Sequence, residues 1–147
     1  MTGYLAVEAV VRTLGGKRVL RAEVRTLADL NRVVLAGLPF RSLRLVSGRY
    51  RPARRSEVEQ LVVPRTTMLR REQAGVLSLD ESERLERIAR ITALAEHVLE
   101  SHEEAEQFLT SPHPLLDNVP PLELAVTDLG ARRVEEILWR LEYSLPV

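Results

Sequence analysis

The chain has 147 residues, 45 % of them hydrophobic and 29 % charged, with no Cys and a formal net charge of zero. That content excludes a wholly disordered chain and leaves room for one ordinary core or two small ones, and the absence of Cys excludes a disulfide framework or a thiolate metal site. The zero balance hides a separation of sign: residues 1–75 carry 15 basic and 6 acidic side chains, a net of +9, and residues 76–147 carry 6 basic and 15 acidic, a net of −9. Solvation of helix faces accounts for many charges but not for their segregation, which points to a basic portion that meets an anionic partner and an acidic portion with another task. Charges interrupt every apolar stretch before the roughly 18 residues that a bilayer span requires. Met1 to Arg12 lack the pattern of a secretory signal, so a cytoplasmic location is expected.

Apolar residues recur at three and four rather than two, and the fold class expected is all-α. A first helix is predicted over Tyr4 to Leu14, stopped by Gly15-Gly16. The stretch Val19 to Val24 alternates slightly and leaves a short strand open. Thr26 is the expected N-cap of a helix through Leu27, Leu30, Val33 and Val34, ended by Gly37, with Pro39 opening the next. Gly48 to Arg55, holding Pro52 and four Arg, reads as a basic loop. Three pairs fit the capping box, Ser56 with Glu59, Ser78 with Glu81 and Ser101 with Glu104, and predict helices from about Glu57, Leu79 and His102. The longest runs to about Glu100 on a stripe of Leu85, Ile88, Ala89, Thr92, Ala95, Val98 and Leu99, and is the expected spine. Ser111 to Pro121 holds four Pro and reads as a loop or short turn. A short helix from Pro121 to Val126 and a last one from Asp128 to Tyr143, capped by Thr127, complete the chain.

Two of these helices lie close together, separated by Val62-Val63-Pro64, and the second carries Arg65, Thr66, Thr67, Arg70 and Arg71 ahead of Gly75. A helix-turn-helix has this form, with the start of its second helix in the major groove. Arg65, Thr66 and Thr67 are then placed for base edges or phosphate, and Arg70 and Arg71 for the DNA backbone. The same spacing also fits a plain helical hairpin with an Arg-rich solvent face.

The run Arg65-Thr66-Thr67-Met68-Leu69-Arg70-Arg71, then Gly75, Leu77-Ser78, Glu81-Ser82, Arg84-Leu85 and Arg87 to Arg90, with Gly37-Leu38-Pro39 upstream, resembles the Xre-type antitoxins partnered with RES-domain toxins. Downstream, Ala105, Phe108-Leu109, Pro112, Leu115, Pro120 to Leu124, Gly130, Val134, Leu138 and Glu142 resemble the toxin-binding domain of the Xre, MbcA and ParS proteins. Phe108 stands where the family usually has tryptophan. Asp117-Asn118 and Ser144 stand where it usually has glycine.

The resemblance implies an N-terminal extension over 1–24, an Xre-like helix-turn-helix domain over 25–77, a connecting helix over 78–100 and a toxin-binding domain over 101–147. It implies a type II antitoxin that neutralises an NAD-consuming RES toxin and autorepresses its operon through operator DNA. The DNA contacts would come from Arg65, Thr66, Thr67, Arg70 and Arg71. The toxin contacts would come from Arg132, Arg133, Glu136, Arg140, Tyr143, Leu145, Pro146 and Val147. Symmetric operators call for a homodimer. The alternatives are a stand-alone transcription regulator and a protein adaptor without a toxin.

No enzymatic constellation is expected. His97 and His102 are five apart, unlike the i, i+4 pair that binds zinc; Gly15-Gly16 lacks the lysine and hydroxyl of a P-loop; and no Ser, His and Asp are positioned together. No metal or cofactor is needed for the activity that the resemblance implies. Trp139, the sole tryptophan, is expected to pack in the core, with a partner-facing role open.

Overall fold

The computed structural model describes residues 5–144. Ten α-helices follow one another among them: α1 Val7–Thr13, α2 Gly16–Leu20, α3 Leu27–Ala36, α4 Phe40–Ser47, α5 Pro52–Gln60, α6 Met68–Ala74, α7 Leu79–Leu99, α8 His102–Thr110, α9 Pro121–Leu124 and α10 Asp128–Glu142, with a 3-10 turn at Pro114–Leu116. There is no strand among the described residues, only isolated bridges between Pro39 and Val76 and between His113 and Val119. None of these helices is long and apolar enough to cross a membrane.

The spine is α7. Its 21 residues start at a complete capping box in which the Ser78 hydroxyl accepts from the Glu81 N–H and the Glu81 carboxylate accepts from the Ser78 N–H. Leu85, Ile88, Ala89, Ile91, Leu94 and Ala95 are buried along it. It packs against α1, α3, α4, α8 and α10. A single apolar cluster therefore runs from Val10 in α1 to Leu138 in α10. Two arginines in the first half of α7 reach carbonyls left open beyond helix ends, a frequent need at such positions. Arg84 donates to the Val62 carbonyl through Nε at 3.2 Å and Nη2 at 2.9 Å, and Arg87 Nη2 donates to the Val126 carbonyl at 2.8 Å.

The Gly37-Leu38-Pro39 turn has a physical reason. Gly37 sits at φ +98°, and a Cβ there would lie 2.8 Å from the Leu77 carbonyl oxygen. The close approach lets Leu77 N donate to Leu38 O at 2.9 Å and Phe40 N to Gly75 O at 3.0 Å. The buried Leu38 N–H donates to Ser82 Oγ at 2.8 Å. Glu81 and Ser82 thus share the work: one caps α7, the other satisfies the turn that crosses it.

Several expectations are corrected. Val19 to Val24 contains no strand; Gly15 in the left-handed region turns the chain directly into α2, which ends at a left-handed Arg21. Gly48 to Arg55 is not a loop throughout, because Pro52, whose fixed φ suits a first helical position, already opens α5. Ser56 and Glu59 are consequently inside α5 and form no capping box. Ser56 Oγ accepts from Gln60 Nε2, and the buried Glu59 accepts from Arg44 at 2.9 Å and Ser47 at 2.7 Å. Ser101 caps α8 by accepting from Glu104 N, but no reciprocal bond is made. The predicted helix start at Tyr4 lies outside the described residues.

Candidate nucleic-acid interface and partner surface

Between α5 and α6 the chain turns through Leu61 to Pro64, with Val62 and Val63 fully buried under α7. The regular α ladder of α6 begins at Met68 rather than at Pro64. Arg65 to Thr67 form a tight first turn instead, closed by Thr67 N on Pro64 O at 2.9 Å and Met68 N on Arg65 O at 3.4 Å, and the ladder continues with Arg71 N on Thr67 O at 3.1 Å. Gly75 ends the element at φ +78°. Arg65, Thr66 and Arg70 are exposed and Thr67 half-buried.

The five candidate DNA contacts are not equivalent. Arg65 and Arg70 make no ion pair or side-chain hydrogen bond with any described residue. Arg71 is already engaged, because its Nε donates to Glu81 Oε1 at 2.6 Å. Burial pushes the Glu81 carboxyl up, but Arg71 and the two Ser78 contacts outweigh it and hold the group below its ordinary value. Arg71 therefore fixes α6 to the cap of α7. Leu69, not singled out from the sequence, is 64 % exposed between the free arginines. An apolar side chain there suits contact with a thymine methyl.

The candidates at the other end lie on α10. Arg132, Glu136, Arg140 and Tyr143 recur along one stripe, with Arg132 paired to Asp128 at 3.2 Å and Arg140 to Glu136 at 3.2 Å. Arg133 bonds Asp117 Oδ2 and the Leu115 carbonyl, both at 3.3 Å. Arg133, Glu136 and Arg140 rim a shallow cleft of about 230 Å³ with Leu115, Leu116 and Ile137 on its floor. In the sequence Leu115 stands out only through the resemblance and Ile137 only as core, and neither signals a surface. Tyr143 is half-exposed and stacks on Trp139, ring centroids 5.8 Å apart, while His97 meets Trp139 edge-on at 6.4 Å. Trp139 is thus half-buried, packed on the core yet part of this face. Leu145, Pro146 and Val147 lie outside the described residues.

Two other features are internal. Burial raises the Glu86 and Glu135 carboxyls, with Arg90 opposing the shift in each. Burial also raises the Tyr50 hydroxyl, which shares a 2.7 Å hydrogen bond with Thr92 Oγ1. No group of three or more potential metal ligands occurs among the described residues.

The fold and its exposed arginines define the class: an all-α protein with a helix-turn-helix and a second small helical domain on one spine. Residues 29–90 match the antitoxin Xre-like helix-turn-helix domain, and residues 94–143 match the antitoxin Xre/MbcA/ParS C-terminal toxin-binding domain. Over 85 residues the chain is 35 % identical to an Antitoxin Xre of Pseudomonas putida, a stretch that covers 58 % of this chain and 54 % of that protein. The chain thus carries, in this order, regions similar to the helix-turn-helix domain and the toxin-binding domain of Xre-type antitoxins. The match spans about half the length of that relative.

Proposed function

We propose that this protein is the antitoxin of a type II toxin-antitoxin pair, binding operator DNA through its helix-turn-helix and a RES-type, NAD-consuming toxin through its last domain. It acts as a homodimer on a symmetric operator and represses its own operon. No cofactor or catalytic step is required. The observation that carries the reading is the order of the two matched domains, 29–90 then 94–143, on one continuous helix. Arg65 and Arg70 support the DNA half, since two exposed guanidiniums with no partner among the described residues lie at the start of the second helix, the element that enters the major groove in this motif. Arg65, Thr66, Thr67 and Arg70 contact DNA, and Arg71 positions the helix. The α10 cleft and stripe, with Tyr143 and the residues that follow it, face the toxin. Aromatic and Arg anchors are favoured at such interfaces.

The test is co-expression with the product of the adjacent reading frame, reading co-purification and cellular NAD. The neighbour alone should deplete NAD, the full chain should bind it and restore NAD, and a chain ending at Glu142 should fail. Arg65→Ala with Arg70→Ala should lose at least about 30-fold in operator affinity, about 1–3 kcal/mol for each contact, and still restore NAD. A harmless neighbour that forms no complex overturns the toxin assignment.

A further inference from the structure

The cations of the acidic half are all spent inside the molecule. Among the described residues after 75, Arg84 and Arg87 bond carbonyls, Arg90 lies between Glu86 and Glu135, and Arg132, Arg133 and Arg140 have carboxylate partners. The basic half differs. Besides Arg12, Arg65 and Arg70, the exposed Arg18, Arg21 and Arg41 have no ion pair or side-chain hydrogen bond with any described residue. These three line one groove of about 610 Å³, bounded by α2, the start of α4 and the end of α6.

Its other charged members are already matched to each other. Arg44 lies 5.0 Å over the Phe40 ring and pairs with Glu59 at 2.9 Å and with Glu72 at 3.5 Å, so the one carboxylate in the groove is held by Arg44. Three unpaired guanidiniums in one concave surface repel one another unless an anion joins them, and arginine's planar fork suits phosphate. The groove adjoins α6 through Glu72, Gly75 and Val76. Arg18 and Arg21 precede residue 29, where the helix-turn-helix match begins.

We propose that this groove is a second phosphate-binding site, in which Arg18, Arg21 and Arg41 grip the sugar-phosphate backbone of the duplex that receives Arg65. The inference rests on the DNA-binding reading and gives α2 a role in it. The contacts are sequence-independent, and each one released lowers the slope of log K against log salt by about 0.9.

The test uses the full chain and a labelled 30-base-pair duplex of mixed sequence, with affinity read by fluorescence anisotropy between 50 and 200 mM KCl. Arg18→Ala, Arg21→Ala and Arg41→Ala together should flatten the slope by about 2.7, while the three Arg→Lys changes keep it near the parent value. A second triple variant, Arg12→Ala, Arg25→Ala and Arg32→Ala, removes equal charge outside the groove and should change the slope by less than one contact's worth. Far-UV circular dichroism and melting verify that each variant folds. An unchanged slope in the groove variant, or an equal loss in the charge control, overturns the site while leaving the helix-turn-helix reading standing. Failure of the parent chain to bind the duplex at any salt overturns both.

Discussion

Glu81 does three things, two with its side chain and one with its backbone. Its carboxylate accepts from Ser78 N at 2.9 Å to cap α7 and from Arg71 Nε to hold α6, and its own N–H donates to Ser78 Oγ at 3.3 Å. Only 4 % of the residue is exposed, so a lost partner is not replaced by water, and hydrogen bonds to a charged group contribute about 1.5–3 kcal/mol each. Glu81→Gln should cost about 2 kcal/mol at pH 7 in urea unfolding. Because the folded carboxyl titrates below its ordinary 4.5, this contribution is complete above 4.5 and is lost as pH falls through the folded value. The gap between parent and variant should therefore be constant from pH 7 to 5 and narrow on further acidification. A gap that widens towards acid would mean that the carboxylate is not the stabilising species. The Ser78–Glu81 box was legible in the sequence because both residues flank an apolar run. The Arg71 contact was not, because nothing local pairs residues ten apart.

At the level of elements, the same template that found α7 misplaced α5. Ser56 and Glu59 have the right spacing, but Pro52 begins the helix four residues earlier, and Glu59 is turned inward to Arg44 and Ser47. Thr26 and Asp29 form a full capping box of which the sequence shows only the Thr26 cap, since the template has Glu or Gln rather than Asp at N3. The departures from the family's glycines are sharper. Asp117, Asn118 and Ser144 adopt φ +59°, +60° and +55°, so the backbone there keeps the left-handed form that glycine serves without its freedom. Asp and Asn tolerate that region, whereas serine does so at a cost of about 1 kcal/mol. Ser144→Gly should stabilise the end of α10 by about 0.5–1 kcal/mol, measured by thermal melting. Gly130→Ala should act in the opposite direction, because its Cβ would overlap the Leu124 carbonyl oxygen far inside van der Waals contact. Repulsion from backbone cannot be relieved by a rotamer change, and a loss of about 3 kcal/mol is expected. Equal tolerance of both substitutions would show that α9 and α10 shift apart freely.

Across the whole molecule, the segregated charges suggest two independent parts, and the packing opposes that. The domain matches meet between residues 90 and 94, in the middle of α7, where Ile91 is fully buried. Leu85 and Leu94 belong to the same apolar cluster, which continues without a break into α1 and α10. Charge pairs reinforce the join: Arg49 meets Glu96 at 3.4 Å, and Arg51 meets Glu106 at 3.0 Å while its N–H donates to the same carboxylate at 2.7 Å. No sequence window contains these contacts, since each spans more than forty residues. A shared core implies one cooperative unit. Trp139 reports the last domain by fluorescence, whereas far-UV circular dichroism reports every helix. The two probes should give coincident urea midpoints in the full chain. Ile91→Ala should lower both together, by about 2–5 kcal/mol of cavity cost. Separate midpoints, or a loss seen by only one probe, would show that each domain folds alone and that α7 is only a linker. A common transition would also mean that a partner bound at α10 stabilises the helix-turn-helix, through the core that both ends share.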